Sequence, residues 1–174
     1  CINIGGFANI SYDLNGVRKA YDICPANIVL NKYAGYFNLE YDKDGIIGRS
    51  GKVISELLQR FSSIPYYKES GPKSLGREWL EDVFIPSIPD GVSHKDVMRT
   101  MYEHIAEQIG NHINGSESKV LLTGGGSHNS FLIELIKEKC NSTIIIPERE
   151  LIDFKEALVF AFLGYLYINR INNC

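Results

Sequence analysis

Three consecutive glycines, Gly124-Gly125-Gly126, stand inside the segment Thr123 to Asn129 (TGGGSHN). Glycines in such a place clear Cβ atoms from a ligand's path, and a helix start just beyond offers free N–H groups and a positive dipole end to a phosphate or nucleotide. The same residues can equally form a tight strand-to-helix turn with Ser127 or Asn129 as N-cap. Neither GxGxxG nor GxxxxGK[ST] occurs, so this is neither the dinucleotide fingerprint nor a Walker A loop. Gly5-Gly6 with Asn9 (GGFAN) fits a hairpin turn, or a turn whose Asn9 amide faces a cleft and bonds hydroxyl groups. Asp22 can be a general base if it reaches a nucleophile within hydrogen-bond distance, or the cap of a following helix. Glu40, Asp42 and Asp44 could attract Mg2+, but an aspartate-glycine turn is expected to be solvated loop. Lys73, Ser74, Arg77 and Glu78 (PKSLGRE) form the densest polar cluster. There Lys73 and Arg77 can pair with phosphate or carboxylate, and Glu78 can be a first-turn helix carboxylate.

The elements that must position these residues follow from periodicity. Cys1 to Ile4, Ala8 to Leu14 and Val17 to Tyr21 read as three antiparallel strands, the last two joined by Asn15-Gly16, a strong hairpin signal. After Asp22 the spacing turns helical through Ile28, Val29, Tyr33 and Tyr36 or Phe37, with Pro25 suited to a first helical turn. Tyr41 to Ser50 is rich in turn residues, a helix carries Val53, Ile54, Leu57, Leu58 and Phe61, and Ser63 to Arg77 is a second long loop. Loops of this length suggest binding.

From Asp96 onward, Val97, Met101, Ile105, Ile109 and Ile113 recur four apart, one stripe of a long amphipathic helix that is core unless it faces a partner in a homodimer. Gly115 and Ser116 precede a strand from Lys119 to Leu122, followed by the glycine turn and a helix through Phe131, Leu132, Leu135 and Ile136. A further strand covers Thr143 to Ile146, and a final helix is expected from Asp153, with Glu156 at capping-box spacing and an apolar body, Ala157 to Ile168, that reads as buried.

Composition narrows the classes. With 174 residues the chain suits one domain, 1–174. A net charge of −3 without a run of Lys or Arg leaves no electrostatic footprint for nucleic acid or an anionic membrane. Cys1, Cys24, Cys140 and Cys174 form no CxxC, and the four histidines form no HExxH, which points to a reduced cytoplasmic protein without a structural metal. The longest apolar run is too short to span a bilayer.

Three hairpin strands followed by strand-helix alternation is the order of a ribonuclease-H-like half domain, an α/β mixed sheet with packed helices. Actin-like ATPases, sugar kinases among them, place two such halves around a cleft. The motifs Gly5-Gly6-Phe7-Ala8-Asn9-Ile10, Tyr21-Asp22 with Pro25 and Asn27, Asp42, Asp44, Gly45 and Gly51, Pro72 to Glu78, Gly124 to Gly126 with Asn129, and Glu156-Ala157 with Phe160-Ala161 occur in that order. Together they resemble the C-terminal half of anhydro-N-acetylmuramic acid kinase over nearly the whole chain.

The resemblance implies ATP and Mg2+ acting on 1,6-anhydro-N-acetylmuramic acid, an amino sugar of cell-wall recycling, to give N-acetylmuramic acid 6-phosphate. It assigns Asp22 as general base. Gly5, Gly6, Asn9, Lys73, Arg77 and Glu78 go to the sugar side, and Asn27, Gly124, Gly125, Gly126 and Asn129 to the nucleotide side. It also implies an N-terminal half that this sequence lacks, so that this chain alone would be inactive. The family's usual stretch after the aspartate is close to Thr-Gly-Pro-Gly-Asn, whereas Ile23 and Cys24 stand here in place of the threonine and first glycine. Either nucleotide contacts are made differently, or the chain is a binding homologue with little or no turnover.

Overall fold

The computed structural model describes residues 1–114 and 119–172; the turn expected at Gly115 and Ser116, and Cys174, lie outside them. Strands Ile2–Ile4 (β1), Phe7–Leu14 (β2) and Val17–Pro25 (β3) run antiparallel. Asn15 and Gly16 turn β2 into β3 with φ of 52° and 77°, the pair of positive values that a two-residue type I′ turn needs.

Asn27–Ala34 (α1) follows β3, with Pro25 closing the strand instead of opening the helix. The reason is local: the N–H groups of Ala26, Asn27 and Ile28 donate to the carbonyls of Gly6, Gly5 and Gly6, so the β1–β2 turn itself caps α1. Next come Ile46–Ser50 (α2), Ser55–Ser63 (α3) and Arg77–Trp79 (α4), which continues as a π-helical stretch over Leu80–Phe84. The long helix His94–Ile113 (α5) leads toward Lys119–Thr123 (β4), Ser130–Glu138 (α6), Thr143–Ile145 (β5) and Arg149–Ile168 (α7).

The strands form one mixed sheet in the order β3-β2-β1-β4-β5, in which β4 is parallel to both β1 and β5. The chain leaves β1 toward β2 and β3 on one side, and leaves β4 toward β5 on the other. A crevice outside the carboxyl ends of two strands that part in this way is the usual ligand position in open α/β sheets.

Helix α5 packs against β3, α1, α2, α3 and α6. Each member of its stripe, from Val97 to Ile113, is at most 5% exposed, so the stripe is core and offers no face to a partner. Glycines let α2 approach α5 closely: a Cβ on Gly48 would lie 2.3 Å from the Tyr102 ring.

The structure corrects three further expectations. Tyr41 to Ser50 is not solvated loop, because Asp42 is only 4% exposed and accepts hydrogen bonds from the N–H groups of Ile47 and Gly48 at 2.9 Å, opening α2. The last helix begins at Arg149, so Asp153 and Glu156 lie in its body and form no capping box. That helix is also not buried: Ile152 is covered, but Phe160 is 71% and Ile168 80% exposed. Its first turns lean on the glycine turn, and most of the remainder is exposed. Among the described residues no helix is long and apolar enough to cross a membrane.

His104 is fully buried between the rings of Phe61, Tyr67 and Phe84, with neither ring nitrogen hydrogen-bonded among the described residues. Burial lowers its pKa to about 3. The unfolded chain takes up this proton below about 6.5 and the folded chain does not until about 3. The unfolded state therefore binds more protons in that window, and stability falls by about 1.4 kcal/mol per unit as pH drops below about 6.5. Urea unfolding across pH 4 to 8 should show this slope, and His104→Leu should reduce it by one proton's worth. An unchanged slope in the variant would refute the assignment.

Candidate functional site

Strand register builds the site. Thr123 on β4 pairs with Asn3 on β1, Asn3 with Asn9 on β2, and Asn9 with Asp22 on β3. Facing partners on neighbouring strands point to the same side with Cβ atoms about 5 Å apart. These polar residues thus form a row across the sheet. Along β1 and β2 they alternate with the buried Ile2, Ile4, Ala8 and Ile10, so the row lies on the face turned away from that core.

A β-bulge makes the row possible. The register shifts between Ala8, which pairs with Cys24, and Asn9, which pairs with Asp22, leaving Ile23 as the extra residue. Ile23 and Cys24 are both fully buried in consequence, while Asp22 stays on the far face. The two residues that depart from the family's usual stretch therefore point into the core. Burial pushes the Cys24 thiol pKa far up, which makes it a packing residue and not a nucleophile.

Asp22 does not cap α1, whose N-cap is Ala26. Its backbone is clamped from the loop beyond α3: its N–H donates to the Lys73 carbonyl at 3.0 Å, and its carbonyl accepts from the Tyr66 hydroxyl at 2.7 Å. Burial, with the Asp22 charge adding to it, raises the Tyr66 pKa and keeps that hydroxyl a donor. The Leu75 N–H donates to Asp22 Oδ2 at 2.8 Å, which orients the carboxylate.

The PKSLGRE segment divides at this point. Lys73 turns its ammonium inward to the carbonyls of Tyr66 and Glu69, over the Tyr66 ring. Arg77 and Glu78 open α4 on the surface, where Arg77 pairs with Glu81 at 2.9 Å. Lys73 to Leu75 thus meet Asp22 through their backbone, and among the described residues no hydrogen bond joins Arg77 or Glu78 to it.

The glycine turn divides as well. A Cβ on Gly124 (φ +83°) would lie 2.7 Å from the Ile4 carbonyl, and one on Gly126 would lie 2.2 Å from the Ile4 side chain. These two glycines allow the turn to close against β1. A Cβ on Gly125 would meet nothing nearer than Asn27 Nδ2 at 3.8 Å, and this glycine borders a cavity of about 530 Å3. Asn27, Leu30, Tyr41, Tyr102 and Asn129 also line that cavity, whose size lies in the range that holds small-molecule ligands.

Asn129 is the N-cap of α6, with Oδ1 accepting from the Leu132 N–H at 3.1 Å. Its Nδ2 donates to the Asp42 carbonyl and to the Tyr102 hydroxyl at 2.8 Å. Asn27, Gly125 and Asn129 therefore share one cavity, while Asn9 and Asp22 stand on the sheet row. The Gly5-Gly6 turn connects the two areas through its bonds to the start of α1.

Two further residues enter from α7. Asp153 accepts from His128 at 2.7 Å and from Arg149 at 3.2 Å, and these bonds hold its carboxyl below the usual range. Lys155 donates to Asn3 Oδ1 and to Thr123 Oγ1. Neither the Asn3–Thr123 pair nor Lys155 carries a local sequence signal, although Asn3 stands one alternation before Gly5.

The model of the anhydro-N-acetylmuramic acid kinase family matches residues 1–174. The chain belongs to this family. Among relatives, the anhydro-N-acetylmuramic acid kinase of Sulfurimonas denitrificans is 32% identical over 184 residues, covering 97% of this chain and 50% of that protein. That of a Sulfurovum species is 34% identical over 170 residues, covering 94% of this chain and 47% of that protein. The Aliivibrio fischeri protein is 32% identical, covering 97% and 49% respectively. The chain thus spans about half the length of the curated relatives it matches.

In fold it is similar to the activator of the 2-hydroxyisocaproyl-CoA dehydratase from Clostridium difficile, solved with bound ADPNP. The TM-score is 0.51 at 17% identity, over 99% of this chain and 63% of that one. The α/β mixed sheet is consistent with the actin-like superfamily.

Within this anhydro-N-acetylmuramic acid kinase family member, Asp42 acts as structure. Its carboxylate accepts two backbone N–H groups, and Oδ2 also accepts from the Tyr102 hydroxyl at 3.2 Å. Asp42→Ala leaves these buried donors without a partner and should lower stability by about 1–3 kcal/mol. Chemical denaturation measures it, and a change within about 0.5 kcal/mol would contradict the role.

Proposed function

We propose that this chain is the ribonuclease-H-like half of a two-part site in which ATP phosphorylates 1,6-anhydro-N-acetylmuramic acid, giving N-acetylmuramic acid 6-phosphate and ADP. The observation that carries the proposal is the row in which the oriented Asp22 carboxylate and Asn9 stand side by side, leading to Asn3, Thr123 and the glycine turn at the reversal of strand order. Family membership and the sheet order β3-β2-β1-β4-β5 support it.

In this reading the adenosine occupies the cavity bordered by Asn27, Gly125 and Asn129. The phosphates run toward the Gly5-Gly6 turn, and the sugar lies over Asn9 and Asp22. Leu75 holds Oδ2 of Asp22, so Oδ1 takes a proton from a water. The water oxygen bonds to the anomeric carbon as the bond from that carbon to the bridging oxygen breaks. The freed 6-oxygen takes the γ-phosphoryl group and ADP leaves. Positioning and charge stabilisation carry most of such a transfer.

No group of three or more His, Cys, Asp or Glu that could hold a metal ion occurs among the described residues. In this reading Mg2+ arrives on the nucleotide, because this ion binds phosphates and retains several waters. When bound it neutralises phosphate charge.

The rival reading, a binding homologue without turnover, is motivated by Ile23 and Cys24 and by a chain that spans about half the length of its relatives. Both side chains lie in the core, which leaves the cleft face to Asp22 and weighs against the rival.

In the complete gene product, Asp22→Asn should lower ATP-dependent product formation by about a hundredfold or more, the scale of a lost general base. Sugar affinity by calorimetry should stay within a few-fold. Turnover close to that of the unsubstituted protein would remove Asp22 from the mechanism.

A further inference from the structure

The side chain of Lys155 crosses from α7 to the carboxyl ends of β1 and β4, where strand order reverses. Its hydrogen-bond partners, Asn3 Oδ1 and Thr123 Oγ1, are both neutral. Among the described residues it forms no ion pair, whereas Arg49, Arg99 and Lys139 each have a carboxylate partner. An ammonium has three donors, and two are used here. A half-buried cation held by neutral acceptors, with a donor to spare, is an electrostatic arrangement completed by an anion.

The Asn3 amide fixes where that anion would lie. A Cβ on Gly124 would sit 2.8 Å from Asn3 Oδ1, and one on Gly5 would sit 3.3 Å from Asn3 Nδ2. One amide therefore touches both glycine turns, and the Lys155 ammonium shares its oxygen. The bare Gly5 and Gly124 positions make room for this amide, while Gly125, next in the turn, stays open to a compact, highly charged group that approaches the backbone closely.

Resting on the nucleotide reading above, we propose that Lys155 is a phosphate-binding residue, its ammonium taking the polyphosphate of the nucleotide between the Gly5-Gly6 and Gly124 to Gly126 turns. Burial lowers its pKa, with Glu156 opposing the shift, and a bound phosphate would raise it. The charge is then stabilised most when ligand is present. Asn3 and Thr123 act as positioning residues that hold the side chain across the crevice.

The test uses Lys155→Met and Lys155→Arg in the complete gene product, with calorimetric Kd values for ATP, adenosine and the anhydro sugar, and thermal unfolding as the check on folding. Lys155→Met should weaken ATP by about ten- to a hundredfold, the worth of one hydrogen bond to a charged group. Adenosine and sugar affinities should stay within about twofold, and Lys155→Arg should recover part of the ATP loss, since charge is kept. A uniform loss for ATP and adenosine would make the residue merely structural and overturn the proposal. So would unchanged ATP binding, or a loss confined to the sugar, which would assign the ammonium to the sugar's carboxylate. If the unsubstituted protein binds no ATP, the nucleotide reading fails together with this one. If it binds ATP and Lys155→Met binds it equally well, Lys155 alone is refuted.

Discussion

One surplus residue in β3 decides what the sheet offers to each of its faces. Strict alternation beyond Tyr21 would send Ile23 inward and Cys24 outward, beside Asp22. With Ile23 as a bulge, both apolar side chains enter the core and Asp22 remains alone on the far side, opposite Asn9. The bulge thereby joins the hydrophobic requirement of the core to the polar requirement of the site. Segment 73–75, through its backbone, and Tyr66, through its hydroxyl, then hold the strand end and the Asp22 carboxylate in that geometry.

A second constraint is the close approach of the glycine turn to β1. Gly124 and Gly126 give up their side chains to packing against Ile4, and only Gly125 faces the cavity. Three glycines in a row thus serve two purposes: two let the loop close, and one keeps an approach path open. Asn129 ties this loop to Asp42 and Tyr102, so the cavity wall, α2, α5 and α6 are connected through one buried network. Asp42 and Tyr102 are buried and Asn129 is half-buried, and all three border the cavity, so disturbing any member should be felt there.

Much of the fold was legible in the sequence wherever the signal is local. Asn15-Gly16 marks a hairpin because few other pairs tolerate two positive φ angles, and the stripe from Val97 to Ile113 marks a core helix because its spacing puts one side inward. Of Asn27, Gly124, Gly125, Gly126 and Asn129, which the resemblance put on the nucleotide side, Asn27, Gly125 and Asn129 border one cavity. Asp42 was read as solvated because its neighbours are turn residues, yet its burial depends on Tyr102, sixty positions away. The bulge at Ile23 was invisible, since an apolar residue looks the same paired or unpaired. Lys155 gives no local sign either, as its partners are Asn3 and Thr123, on distant strands. Helix α7 was expected to be buried on hydrophobicity alone, and sequence apolarity does not say which surface supplies the cover.

The decisive observation is a crystal structure of the complete gene product with ADP and the anhydro sugar. The account predicts adenosine beside Gly125 and Asn129, and the Asp22 carboxylate about 2.6–3.2 Å from a water that faces the anomeric carbon. A nucleotide bound away from that cavity, or a sugar lying out of reach of Asp22, would contradict it.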